Sequence, residues 1–191
     1  LKEIHEQPSV IRRTLSRRVS VETGEVHLEG LPSAAEWREV RRISLVACGT
    51  AHYAGLIGRW LFERLARIPA DVDISSEFRY REPLIEPSDL CIPISQSGET
   101  ADTLGSLRVA KARGVRTLAV CNVPGSSMTR EADAVLMTSA GPEVGVASTK
   151  AFTAQIVALF LMALEAGRAR GVVSVEQARV LLATVRARDA E

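Results

Sequence analysis

Short apolar runs alternate with longer amphipathic stretches along most of this chain, and that alternation predicts its elements. Residues 43–48 (Ile-Ser-Leu-Val-Ala-Cys) read as a buried strand, with Gly49-Thr50 as the turn after it. From Ala51 to about Arg67, Leu56, Ile57, Trp60, Leu61 and Leu65 recur at helical spacing and predict a buried face, and Pro69 ends the run. Residues 70–74 alternate and predict a strand nearer an edge, followed by a short polar-aromatic segment at 75–81. Residues 90–94 predict a third strand, 115–120 a fourth and 134–137 a fifth. Between them lie a helix over 101–113, stopped by Gly114, and a short helix to about residue 132 that Ser126 or Ser127 should cap. A loop with Gly141, Pro142 and Gly145 leads to a long helix over 149–168 and a last helix over 175–186. At the front, residues 1–18 read as a helix broken near Pro8, and 19–32 as a connector. Ser33 with Glu36 forms a capping-box pattern that opens a helix over 34–41.

Strands separated by helices predict a three-layer α/β/α sandwich with a five-stranded parallel sheet. The reading is one domain over 33–191, preceded by a helical lead-in and connector over 1–32. The polar turns 49–50, 95–100, 122–127 and 145–148 all follow strands, so they should meet at one sheet edge, where such folds bind ligands.

Composition narrows the chemistry. A net charge of +1 over 191 residues argues against nucleic acid or an acidic membrane surface as partner. The longest apolar run, 156–164, is short of the ~20 residues of a membrane span and reads as a buried helix. No signal peptide is visible in the polar first residues, and the chain, which begins without Met, reads as a fragment or a processed product. Cys48, Cys91 and Cys121 are scattered in or beside apolar runs, which fits reduced thiols in a cytoplasmic protein. His5, His27 and His52 show no metal-ligand spacing, and neither metal nor cofactor is expected.

The densest polar signal is Ser95-Gln96-Ser97-Gly98-Glu99-Thr100, at a strand-to-helix turn. Free amides and positive dipole at a helix start attract an anion, hydroxyls and an amide add donors, and glycine allows close approach. An ordinary N-cap by Ser97 or Thr100 is the alternative, although capping alone needs one hydroxyl rather than three. The dinucleotide fingerprint is absent, since 49–54 carries one glycine, and Gly55 and Gly58 are explained by close helix packing on the sheet. The P-loop is absent too, because Ser148-Thr149 precede Lys150 in the wrong order and the second glycine is missing. A small phosphorylated metabolite suits the loop better. Glu99, Glu143, Lys150 and His52 lie near the same edge and read as structural, with Lys150 solvated or salt-bridged; Trp37 and Trp60 read as core.

Ser95 to Thr100 resembles the S-x-S-G-x-T signature of sugar isomerase (SIS) domains, a flavodoxin-like fold. Residues 47–50 (Ala-Cys-Gly-Thr), 76–81 (Ser-Glu-Phe-Arg-Tyr-Arg), 121–127 and 145–152 resemble, more narrowly, the first SIS domain of the isomerising glutamine–fructose-6-phosphate aminotransferase family. That resemblance implies a half-domain of an enzyme making glucosamine 6-phosphate from fructose 6-phosphate and glutamine. It implies phosphate binding by Ser95, Gln96, Ser97 and Thr100, and sugar contacts by Cys48 (through its backbone), Thr50, Val146 and Ser148. The family often has serine where this chain has Ala51, so one hydroxyl contact is expected to be missing. The resemblance also implies that catalytic groups come from a second SIS domain and that a glutaminase domain supplies ammonia, so no catalytic residue is assigned here. Partners expected are a hexose 6-phosphate, those two domains and a twin subunit, and the apolar face of the 149–168 helix is expected to be buried against a second SIS domain or a twin subunit. A stand-alone SIS isomerase or deaminase, or a non-catalytic sugar-phosphate sensor, are the alternatives.

Overall fold

The computed structural model describes residues 1–145 and 147–187. Its five-stranded parallel sheet comprises β3 (Ile43–Ala47), β4 (Ala70–Ile74), β5 (Leu90–Ser95), β6 (Arg116–Cys121) and β7 (Ala134–Met137), in the order β4-β3-β5-β6-β7. Register follows chain direction throughout, with Ile43 opposite both Ala70 and Leu90. β3 and β5 are buried along their whole length, whereas the edge strand β4 and the last strand β7 keep partly exposed positions. Full burial explains the unbroken apolar character of the central strands.

On one face lie α4 (Thr50–Leu61), a π-helical turn (Phe62–Ala66) and α8 (Lys150–Ala169); on the other lie α5 (Ser75–Tyr80), α6 (Ala101–Ala112) and α7 (Ser127–Glu131). α3 (Ala34–Glu39) starts on the expected capping box: Ser33 Oγ accepts from the Glu36 N–H, and the Glu36 carboxylate accepts from the Ser33 N–H. The lead-in forms α1 (Lys2–His5) and α2 (Gln7–Leu15), with Pro8 tolerated in the first turn of α2. The 19–32 stretch is not wholly irregular: β1 (Val19–Ser20) and β2 (Glu25–Val26) pair as a small antiparallel hairpin. α9 (Val175–Ala187) closes the described chain.

Two expectations about helix faces are overturned. In α4 the buried positions are Ala54, Gly55, Gly58 and Leu61, while Leu56, Ile57 and Trp60 face outward, Trp60 at 55% exposure. A Cβ on Gly58 would stand 3.0 Å from Leu159 Cδ1 and 3.1 Å from Leu45 Cδ2, so the small-residue face is the one that fits between sheet and α8. Trp60 is therefore not core, and Arg64 lies over its ring at 5.0 Å; Trp37 is fully buried as expected. Nor does α8 need an outside partner for its apolar face. It is long and apolar enough to cross a membrane, yet 78% of that stretch is buried within the domain, against α4, the π turn, α2 and α3.

Candidate functional site

In a parallel sheet every strand ends at the same edge, so the loops after β3, β5 and β7 converge. They enclose a cavity of about 250 Å³ lined by Cys48, Thr50, Ala51, Ser95, Gln96, Ser97, Thr100, Glu143, Gly145, Ser148 and Gln155, among others. It sits where the chain reverses direction across the sheet, between β3 and β5. Seven of the eight sequence-predicted site residues line it; Val146 lies outside the described residues. Ala51 lines it as a methyl where a hydroxyl would otherwise stand.

The 95–100 loop is wound tightly. Ser95 Oγ accepts from the Gly98 N–H at 3.0 Å and lies 3.3 Å from Thr100 Oγ1, and Ser97 Oγ accepts from the Glu99 N–H at 3.2 Å. The Ser97 hydroxyl proton is thereby left free to donate. Thr100 is the N-cap residue of α6, but its side chain makes no capping bond. The first-turn amides of Ala101, Asp102 and Thr103 find no partner among the described residues. The capping alternative therefore fails, and a helix start with free donors opens beside the cavity. No lysine or arginine lines that cavity among the described residues.

Gly98 has a packing role that sequence did not show. At φ +67° it sits in the left-handed region, and a Cβ there would collide with Ser126 Oγ and stand 2.7 Å from Cys121 Sγ. A glycine is required here for the loop to pack on its neighbour. Glu99 faces the same way: its carboxylate accepts from the Ser127 N–H at 2.7 Å and so caps α7, while the Ser126 side chain makes no cap bond. That backbone N–H holds the Glu99 carboxyl below the usual carboxylate range.

The opposite wall is organised by Glu143. One of its oxygens accepts from Ser148 Oγ at 2.8 Å, and the other from the Thr149 and Ala151 N–H groups at 2.9 and 3.2 Å, which caps α8. Glu3 holds the same loop from outside, accepting from the Val144 and Gly145 amides. Lys150, 4% exposed, donates to Glu6 at 2.5 Å and does not line the cavity. His52 does not line it either; its ring packs edge-on against Tyr53. Cys91 is buried far from water, which pushes its thiol up to about 12.

The other sequence blocks brace the site without lining it. Asn122 donates to Gly141 O at 2.8 Å and accepts from Thr138 Oγ1 and the Ala140 N–H, tying the β6 loop to the β7 loop. The 76–81 block lies mostly in α5, which supports α6: Ser75 Oγ, at the start of α5, meets Thr103 Oγ1 at 3.1 Å, and a Cβ on Gly105 would press on Arg79 at 2.5 Å. Gln155, on the second turn of α8, also lines the cavity and was not singled out by sequence reasoning. Its only signal was a polar residue directly before the longest apolar run.

Comparison with known proteins agrees with this architecture. A family model for the SIS domain matches residues 36–165. The chain is 55% identical over 184 residues to the isomerising glutamine–fructose-6-phosphate aminotransferase of Symbiobacterium thermophilum, covering 95% of this chain and 30% of that protein. It is 55% identical over 175 residues to the enzyme of the same name from Bradyrhizobium diazoefficiens, covering 92% and 29%. The chain thus spans about 30% of the length of these curated relatives. Among solved structures, it superposes on the C-terminal domain of glucosamine-fructose-6-phosphate aminotransferase from Francisella tularensis with TM-score 0.91 and 39% identity, over 99% of this chain and 52% of that one. With a parallel sheet whose hydroxyl-rich loops meet at the strand-order reversal, and a family match over two thirds of its length, the chain belongs to the SIS domain family.

Proposed function

We propose that this chain is the sugar-phosphate-binding half of an isomerising glutamine–fructose-6-phosphate aminotransferase, and that its cavity holds fructose 6-phosphate or the glucosamine 6-phosphate made from it. The observation that carries this is the α6 start, where, among the described residues, three first-turn amides and the Ser97 hydroxyl are free beside a cavity that no lysine or arginine lines. Such a site suits a dianion held by hydrogen bonds and helix dipole rather than by an ion pair. Ser95, Gln96, Ser97 and Thr100 take the phosphate, and Cys48, Thr50, Val146 and Ser148 stand beside the sugar.

Among the described residues the one carboxylate lining the cavity is Glu143, and it is committed to the wall by its bonds from Ser148 Oγ and the Thr149 and Ala151 N–H groups. Ring opening, ammonia addition at C2 and proton transfer between C1 and C2 are therefore assigned to a second SIS domain, with ammonia from a glutaminase domain. The relatives' greater length supports this division. A partner surface is available in the exposed stripe of Tyr53, Leu56, Ile57 and Trp60 on α4. It runs at helical spacing from Thr50 at the cavity, so a second SIS domain or twin subunit covering it would also border the site. Residues 33–191 form the binding domain, and 1–32 act as its brace through Glu3, Glu6 and the α2 contact with α8. A cytoplasmic location is proposed on the three free thiols.

Calorimetric titration with fructose 6-phosphate and glucosamine 6-phosphate tests the reading. Ser97→Ala should cost about 1.5–3 kcal/mol, roughly 10–150-fold in Kd, by removing one charge-assisted donor. Equal affinity in wild type and variant would remove Ser97 from the phosphate site.

A further inference from the structure

The polar groups around the cavity differ in what they still have to offer. At the 95–100 loop, amides and a hydroxyl remain as donors, which suits phosphate. At the opposite wall Ser148 donates its proton to Glu143, so its oxygen can only accept from a ligand. The Glu143 carboxylate behind it keeps a phosphate away. A ligand fitting both walls carries its anion at one end and hydroxyl donors at the other.

Gln155 belongs to this second group. It is 3% exposed, it lines the cavity, and its amide has no hydrogen-bond partner among the described residues. Its neighbours along the buried face of α8, Ala151, Ala154, Ala158 and Leu159, are all apolar. Set among apolar neighbours, this primary amide has the cavity as its opening for hydrogen bonding, which an apolar side chain at the same position would not need. Helical side chains lean toward the N-terminus of their helix, which directs Gln155 toward the Glu143-capped end of α8. An amide brings two donors and an acceptor at once. It can therefore bind a hydroxyl or carbonyl oxygen in either sense, beside an oxygen that only accepts.

We propose that Gln155 is a substrate-contacting specificity residue, meeting the hydroxyl- or carbonyl-bearing part of the sugar chain while the 95–100 loop holds the phosphate. The inference rests on the sugar-phosphate reading of the cavity and adds to it a second recognition point. It makes the site selective for a phosphorylated polyhydroxy chain over phosphate alone.

The test titrates the 191-residue chain with inorganic phosphate and with fructose 6-phosphate, using wild type, Gln155→Met and Gln155→Asn. Methionine keeps the volume without the hydrogen bonds, and asparagine keeps the amide but withdraws it by one methylene. Both variants should bind fructose 6-phosphate about tenfold more weakly or worse, with phosphate affinity unchanged. Retained phosphate binding also reports that the site is folded. Wild-type affinity for fructose 6-phosphate in both variants would overturn the role of Gln155 and leave the phosphate site standing. A wild type that binds phosphate and sugar phosphate equally would also overturn it. A wild type that binds neither would overturn the reading of the cavity itself.

Discussion

Two loops leave the carboxyl edge side by side, 95–100 after β5 and 122–127 after β6. Each holds serine hydroxyls, one side-chain amide and a glycine at positive φ, Gly98 or Gly125, and each leads into a helix. The first lines the cavity; the second does not. Their difference lies in what flanks the parent strand. β5 lies next to β3, and the helices that follow these two strands, α6 and α4, pack on opposite faces of the sheet. The chain parts there, and a crevice opens between residues 48–50 and 95–100. β6 lies between β5 and β7, and α6 and α7 cover the same face. No crevice opens, and the 122–127 loop turns its polar groups on its neighbours instead. Similar polar composition thus lines a cavity in one place and braces neighbouring loops in the other.

Three substitutions would sharpen or break this contrast. The largest effect is expected from Gly98→Ala, which combines a Cβ at positive φ with a collision against Ser126. It should cost roughly 2–4 kcal/mol of stability in denaturant unfolding. Stability within about 0.5 kcal/mol of wild type would mean that the two loops can separate freely, and the bracing role would fall.

Asn122→Ala comes next. It removes one donor bond to Gly141 and two acceptor bonds, from Thr138 and Ala140. A loss of about 1–3 kcal/mol is expected in the same assay, with sugar-phosphate affinity held. If affinity fell while stability stayed, the 122–127 loop would be a contact loop and the contrast would be wrong.

Glu99→Gln is the smallest and depends on pH. Glu99 joins the two loops through the Ser127 N–H, which depresses its folded pKa. The stabilisation is present above the unfolded value near 4.5 and is lost as pH falls through the lower folded value. Wild type should therefore melt above the glutamine variant at pH 7, and the gap should narrow by pH 3. A gap that stays constant with pH would show that the carboxylate charge contributes nothing to joining the loops.

Much of the framework was legible in residue order. All five strands and their parallel arrangement followed from apolar runs separated by helical periods, and β4 was legible as an edge strand from its alternating aspartates. The Ser33–Glu36 capping box and the stop at Gly114 were local chemistry and appeared where local chemistry put them. The hydroxyl-rich loop was visible because so many donors at one strand-to-helix turn exceed what a cap requires.

What tertiary structure decided was which faces and which polar groups were already spoken for. Periodicity could not rank the two faces of α4, because glycine and alanine count as weakly apolar in sequence yet pack closest in space. Trp60 was misassigned for that reason, since burial depends on the shape of the facing surface and not on side-chain hydrophobicity alone, while the apolar face of α8 is buried as expected but by the domain's own α4, π turn, α2 and α3. Glu99, Glu143 and Lys150 carry no mark in sequence of the Ser127 amide, the α8 amides or Glu6 that occupy them. Gln155 shows the converse, an ordinary residue beside an apolar run whose amide opens on the cavity with no hydrogen-bond partner among the described residues. Sequence by itself determined the elements, their order and the hydroxyl-rich loop, since these depend on local periodicity and local donors. Only the packed structure decided which donors and acceptors remain unspent, because a hydrogen bond between distant segments exists only after the chain has folded.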